Sequence, residues 1–238
     1  MSSGALGEPV LVVGTAHVID LADPLRSVLT QRALDGIAVE LDAERAPMVL
    51  RPSSGVPQRG SVPLFARLWS LMQRRLGAQL GGDVPGAEMR AAAEVAQSKK
   101  VPLYLIDDPI RLTLSRLVGS MPFKERVSLL FGSIIGLVLP ARVVQSQIEE
   151  YVDQPGALIS ELREASPTIV RVLIDERNEH MADRLAHLRS HGALRLAVIV
   201  GDAHVTGLRL ALGQRGIPTE GLPFKELRQL KGPSTIPS

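Results

Sequence analysis

The 238 residues include no cysteine, so no disulfide framework, thiolate nucleophile or cysteine-type zinc site belongs to this protein's chemistry. A reducing compartment is compatible with that. Aromatic residues make up only 3% of the chain, which removes the stacking platforms on which single-strand binders depend. Charge of one sign does not accumulate either: 27 Lys and Arg stand against 25 Asp and Glu, a formal net charge of +2. With no basic helix and no zinc-finger spacing, nucleic acid is not expected as a partner. Long hydrophobic runs are missing as well. The most apolar stretch, Leu129 to Leu139, contains Gly132, Ser133 and Gly136 and stops at Pro140, short of the roughly 20 residues that span a bilayer. It reads as a buried helix, and no transmembrane segment is expected. Met1 to Pro9 lacks a charged start followed by an apolar core, so no secretory signal is read there and a cytoplasmic location is the expectation.

What is present is a chain with 45% hydrophobic residues, enough to bury a core as one large domain, read as residues 1–230 with a flexible tail at 231–238. Apolar runs at Val10 to Val13, Ile37 to Leu41, Val101 to Ile106 and Leu194 to Val200 look covered on both faces, which points to parallel pairing. Helical patterns lie between them, over Asp20 to Leu34, Pro63 to Leu80, Gly86 to Gln97, Ile110 to Leu117 and a long segment entered through Ser166 and Pro167. The expected architecture is α/β, a central, mainly parallel sheet flanked by helices. A helical insertion from about Met121 to Ala165 would cap the rim of the sheet. Arg51 to Pro63, rich in Pro, Ser and Gly, reads either as a plain surface loop or as a lid beside the proposed site.

One short phrase occurs twice. Val-Gly-Thr-Ala-His-Val at Val13 to Val18 returns as Val-Gly-Asp-Ala-His-Val at Val200 to Val205, with five of six positions matching. Each copy follows a strand pattern, so each puts a histidine just past a strand end, and His17 and His204 are expected to converge at one rim of the sheet. Glycine would allow the backbone angles of the turn. Glu40 closes an otherwise apolar strand, where a carboxylate is costly without a partner. Arg45 or a metal ion would serve. Two imidazoles and a carboxylate can hold a divalent transition metal with positions left open for water, or Glu40 can act as a general base.

The long late helix carries Asp175, Glu176, Arg177 and Asn178 beside an apolar stripe of Ile169, Val170, Val172, Leu173, Met181 and Leu185. Arg177 and Arg184 would share a face, two turns apart, and could hold an oxyanion or a substrate carboxylate. His180, His187 and His191 lack a repeated context and read as solvent-facing side chains rather than ligands.

The paired Gly-x-x-His phrases, with Gly36-Ile37-Ala38-Val39-Glu40-Leu41 between them, resemble the TraB/PrgY/GumN family, which is related to the TIKI proteins. Gly86-Ala87-Glu88-Met89, Asp107-Asp108-Pro109-Ile110, Thr113-Leu114-Ser115-Arg116 and Glu176-Arg177-Asn178 resemble its further motifs, and the likeness runs from about Val10 to Leu212. The resemblance implies a fold akin to erythromycin esterases and the ChaN haem-binding proteins. The TIKI relatives are metal-dependent peptidases, so it also implies that His17, Glu40 and His204 hold a metal or activate water, with Mn or Co favoured and Zn admissible. Arg177, with Glu88, Asp107 and Arg116, would then line the substrate site. The expected function is a peptidase-like, metal-dependent hydrolase of a peptide or small acyl substrate. Two other readings stand beside it: a non-catalytic protein that sequesters a peptide, metal or haem in signalling, and an interaction protein whose apolar segment near Ile134 docks a partner or a second copy as a homo-oligomer. Many family members carry hydrophobic carboxy-terminal spans that have no counterpart here, so membrane anchoring is not carried over.

Overall fold

Apolar side chains on alternate residues of a strand face opposite ways, and here both faces find a helical layer. The computed structural model describes residues 7–16, 21–50, 86–125 and 155–230. Five strands, β1 (Val10–Thr15), β2 (Gly36–Val39), β3 (Leu103–Leu105), β4 (Leu196–Gly201) and β5 (Thr219–Leu222), form one sheet in the order β3-β2-β4-β1-β5. Every pairing is parallel. On one face Leu11, Val13, Ile37, Val39, Ala197 and Ile199 pack on Leu25 and Leu29 of helix α1 (Ala22–Gln31) and on Met89, Ala92 and Val95 of a later helix, Ala87–Lys99. On the other, Val10, Val12, Ala38, Leu196, Val198 and Val200 meet Met181, Leu185, Leu208 and Leu212. The period of two along each strand thus sorts the core into two layers.

The remaining helices over the described residues are α2 (Ala46–Leu50), α3 (Ala87–Lys99), α4 (Ile110–Ser120), α5 (Pro155–Ala165), α6 (Pro167–Val170), α7 (Glu176–Ser190), α8 (Asp202–Gln214) and α9 (Phe224–Gln229). Between α6 and α7 a single π turn, Arg171–Asp175, widens the rod, with the Glu176 N–H donating to the Arg171 carbonyl. Pro167 opens α6, where its missing N–H costs nothing. No helix among the described residues is long and apolar enough to cross a membrane.

The four expected strands are present within a residue or two of the expected bounds. β5 was not expected: Thr-Glu-Gly-Leu has neither an apolar run nor alternation, and it is recruited by pairing with β1 at the sheet edge. Of the proposed helical insertion, α5 is described, while residues 126–154 lie outside the described residues. So do the Arg51 to Pro63 loop, the Pro63 to Leu80 helix, the Leu129 to Leu139 stretch and the 231–238 tail.

The two copies of the phrase begin on adjacent strands, one residue out of step: Gly14 pairs with Val200 and Thr15 with Gly201. Their glycines do not serve left-handed backbone, contrary to the expectation from the sequence. Gly201 has φ −58°, and the positive-φ glycines among the described residues are Gly86, Gly192 and Gly216. Gly14 serves close packing instead. A Cβ there would run into the Asp202 carboxylate and lie 2.8 Å from Val205 Cγ2. Gly14→Ala is therefore expected to destabilise the protein by about 1–3 kcal/mol, as overpacked core sites do, and urea denaturation measures it.

Candidate functional site

Helices that connect parallel strands return the chain so that all carboxyl ends share one edge, the usual place for a ligand in an open α/β sheet. Glu40 follows the last residue of β2, Asp107 stands two residues beyond β3, and His204 is the third residue of α8, directly after β4. Backbone pairing continues past the strands and fixes these positions. The Glu40 N–H donates to the Ile199 carbonyl at 3.0 Å, and the Asp107 N–H to the Leu41 carbonyl at 3.2 Å.

Arg177, in the first turn of α7, reaches into this edge and is the hub. Its Nε donates to Asp107 Oδ1 at 3.0 Å, and its Nη2 to Asp107 Oδ2 at 2.7 Å and to Glu40 Oε1. Its Nη1 donates to the Leu173 carbonyl of the π turn at 3.0 Å and lies 3.1 Å from His204 Nε2. A guanidinium has five N–H donors, so each of them has an acceptor here. The side chains are nearly closed to solvent, Asp107 at 1%, Glu40 at 9% and Arg177 at 11% exposure. Burial works against the Arg177 cation, but the charges and hydrogen bonds of Glu40 and Asp107 outweigh it and hold its pKa well above the ordinary arginine value.

His204 is oriented from both sides. Its Nδ1 lies 2.8 Å from Asn178 Oδ1. Because Arg177 can only donate, Nε2 is the acceptor and the ring proton sits on Nδ1, pointing at the Asn178 oxygen. Asn178 is itself wedged against the backbone of α8, where Gly207 has no Cβ and the Asn178 amide fills its place. Glu40 Oε2 accepts the Gly201 N–H at 2.7 Å, so the carboxylate of β2 also clamps the end of β4.

A second guanidinium braces the first. Arg45 bridges Asp42 Oδ2 and Asp107 Oδ2, both at 2.5 Å, and Asp42 Oδ1 accepts the Glu44 and Arg45 N–H groups. Arg45 is thus not the partner of Glu40, as the sequence alone had allowed; Arg177 is, because α7 delivers it directly onto the carboxylate. Arg184 does not join Arg177. It is exposed on α7, away from the cluster, which removes the paired-arginine anion site.

The other residues named from the sequence divide. Asp107 is central. Glu88 is buried in the first turn of α3, which enters on the same edge of the sheet. Arg116 stands further out, about half exposed, and pairs with Asp108 rather than with the hub. His180 is only 30% exposed, with Nε2 3.2 Å from Asp108 Oδ1, whereas His187 and His191 are exposed as expected. His17 lies outside the described residues. Sequence reasoning missed Asp42 and the orienting role of Asn178. Asp42-x-x-Arg45, just past a strand, carried a signal in its ion-pair spacing, while nothing local to Asn178 pointed at His204.

Glu40 Oε1 and His204 Nε2 are 3.5 Å apart, a separation that two ligands of one ion with bonds of about 2.1 Å can span. As they stand, however, both atoms are occupied by Arg177, so the described donors do not fit an ion in this arrangement. Among the described residues there is no group of three or more His, Asp or Glu that could hold a metal.

Removing Arg177 would strand buried carboxylates, so Arg177→Met is expected to cost about 3–5 kcal/mol, read by urea denaturation at neutral pH. A pH dependence follows from Asp42. Burial pushes its carboxyl up, but the Arg45 side chain and the backbone N–H groups outweigh that and hold it below the ordinary aspartate value. Its stabilisation is complete above the unfolded-state value and is lost as pH falls through the lower folded-state value. Thermal melts from pH 6 down to about 2 should show a steeper acid loss for the wild type than for Asp42→Asn.

The family profile described as TraB/PrgY/gumN matches residues 5–218. An uncharacterised protein of Methanocaldococcus jannaschii is 33% identical over 208 residues, which cover 84% of this chain and 52% of that protein. The chain thus spans about half the length of the curated relative it matches. The profile covers β1 to β4, the hub arginine and both Gly-x-x-His phrases. The chain belongs to the TraB/PrgY/gumN family.

Proposed function

We propose that the carboxyl edge is the catalytic site of a hydrolase acting on peptide or related acyl bonds. The observation that carries this reading is the orientation of His204: Asn178 fixes its Nδ1 proton, and its basic Nε2 is presented to the same small space as Glu40 and the Arg177 guanidinium. Three carboxylates, Glu40, Asp42 and Asp107, and two guanidinium groups, Arg45 and Arg177, are gathered there. Buried charge on that scale is expensive, and a sheet edge can be closed more cheaply with apolar side chains.

The contact between Arg177 Nη1 and His204 Nε2 is the one a substrate carbonyl can replace. Among the described residues it is the only bond of the hub to a neutral side chain, and its exchange does two things at once. It frees Nε2 to take a proton from an attacking water, and it gives Nη1 an oxygen on which negative charge develops. Glu40 keeps Arg177 in place and lies near enough to Nε2 to stabilise the imidazolium. Asp107, braced by Arg45 and Asp42, stops the guanidinium from following the substrate. Glu88 and Arg116 are proposed as substrate contacts on either side.

The family likeness adds a divalent ion, Mn or Co before Zn, on His17, Glu40 and His204. Arg177 holds the described donors, Glu40 Oε1 and His204 Nε2. Elemental mass spectrometry on tag-free wild type, His17→Ala, Glu40→Ala and His204→Ala decides the matter: one equivalent lost in all three variants establishes the ion, and equal metal content in wild type and all three variants after supplementation establishes the metal-free site. Activity is tested with a panel of peptide and acyl ester substrates. His204→Ala is expected to lower kcat/KM by about 10²–10⁴ and Arg177→Lys by about 10²–10³. Turnover in His204→Ala equal to wild type would overturn the reading. Ligand binding without turnover would favour a sequestering protein instead.

A further inference from the structure

The two histidines at the far end of α7 take no part in the carboxyl edge, yet they are arranged as a pair. His187 and His191 are four residues apart, both are exposed, and their ring centroids are 4.2 Å apart with planes tilted by 45°. His191 is the residue directly after α7, and the turn at the helix end brings its ring against that of His187. One of the rings is already fixed in a single tautomer. His191 Nδ1 lies 2.8 Å from the His187 carbonyl oxygen, which can only accept, so the proton is on Nδ1 and Nε2 carries a free lone pair. Ser190 Oγ, which donates to the same carbonyl at 2.8 Å, closes the arrangement. A histidine whose other nitrogen donates to a backbone carbonyl has the outer hydrogen bond that metal-ligating imidazoles almost always make.

We propose that His187 and His191 form a two-point chelate for a late divalent transition ion such as Cu²⁺, Ni²⁺ or Zn²⁺, separate from the carboxyl edge. His187 lies ten residues beyond Arg177, or roughly 15 Å along the helix axis. With the rings this close, small side-chain rotations put one nitrogen from each within about 2.0–2.1 Å of a shared ion. Asp183 stands one turn before His187 but is taken up by Arg215, so water fills the other coordination positions. Imidazole donors select late transition ions, and Mg²⁺ and Ca²⁺, which want oxygen ligands, are not expected to bind. The second histidine adds affinity because it binds intramolecularly once the first is engaged.

The test is calorimetric titration of tag-free protein with NiCl₂, and with MgCl₂ as control, together with thermal melts. The wild type should bind one equivalent of Ni²⁺ outside the carboxyl edge and gain stability with added ion, since the pair is preformed only in the folded helix. His187→Ala and His191→Ala, both exposed substitutions, should each weaken that binding at least tenfold. His204→Ala and Glu40→Ala should retain it. Undiminished Ni²⁺ affinity in either single histidine variant would overturn the proposal, as would loss of all Ni²⁺ binding in His204→Ala. The outcome does not depend on hydrolytic activity, so it stands apart from the test of the catalytic reading.

Discussion

The Arg177 guanidinium, buried between Glu40, Asp107 and His204, is the contact on which the carboxyl edge depends. It joins groups from three strand ends to a helix on one face of the sheet. Its fixed planar fork lets it serve two carboxylates, a carbonyl and an imidazole at once, which the point charge of a lysine could not do. Glu40 in turn binds the Gly201 N–H, so the electrostatic hub and the backbone ladder between β2 and β4 close on each other. The buried charges at the carboxyl edge therefore also hold the central strands in register, and loss of the hub reaches the fold as well as the edge.

Much of this was legible in the sequence. Unbroken apolar runs such as Leu196 to Val200 announced buried parallel strands, because only a sheet covered on both faces needs side chains like Val198 and Ile199 to be apolar alike. Glu40 was legible for the converse reason, as a charge at the end of such a run. Its partner was not. Arg45 is five residues away in the chain and Arg177 more than a hundred, and nothing in local spacing reveals that α7 crosses the strand ends. β5 was invisible because an edge strand of four residues owes its conformation to β1 rather than to its own composition. Asn178 was quoted within a motif but had no visible task, since its role exists only where α7 meets the Cβ-less side of α8 at Gly207.

The repeated phrase has a physical explanation that repetition alone does not supply. Its two copies begin on adjacent strands, and the one position at which they differ is where their duties differ. Thr15 is buried and donates its hydroxyl to the Val200 carbonyl, tying one copy to the other. Asp202, its counterpart, accepts the Phe224 N–H at 2.7 Å and so anchors the start of α9 across the end of β1. A threonine hydroxyl could not make that acceptor contact as a charged group, and an aspartate at 15 would bring a charge into the buried space beside Val200.

The π turn at Arg171–Asp175 fixes the rotational phase between α6 and α7. Each residue of an α-helix turns the chain by about 100°, so a single insertion or deletion between Pro167 and Arg177 would swing the guanidinium away from the strand ends while leaving the helix itself intact. Chain length in this stretch is therefore constrained by geometry independently of composition. Among relatives, Ile169 or Leu173 can change into other apolar residues, but gaps in an alignment should cluster elsewhere, and a homologue with a gap here would need a different source for the hub cation.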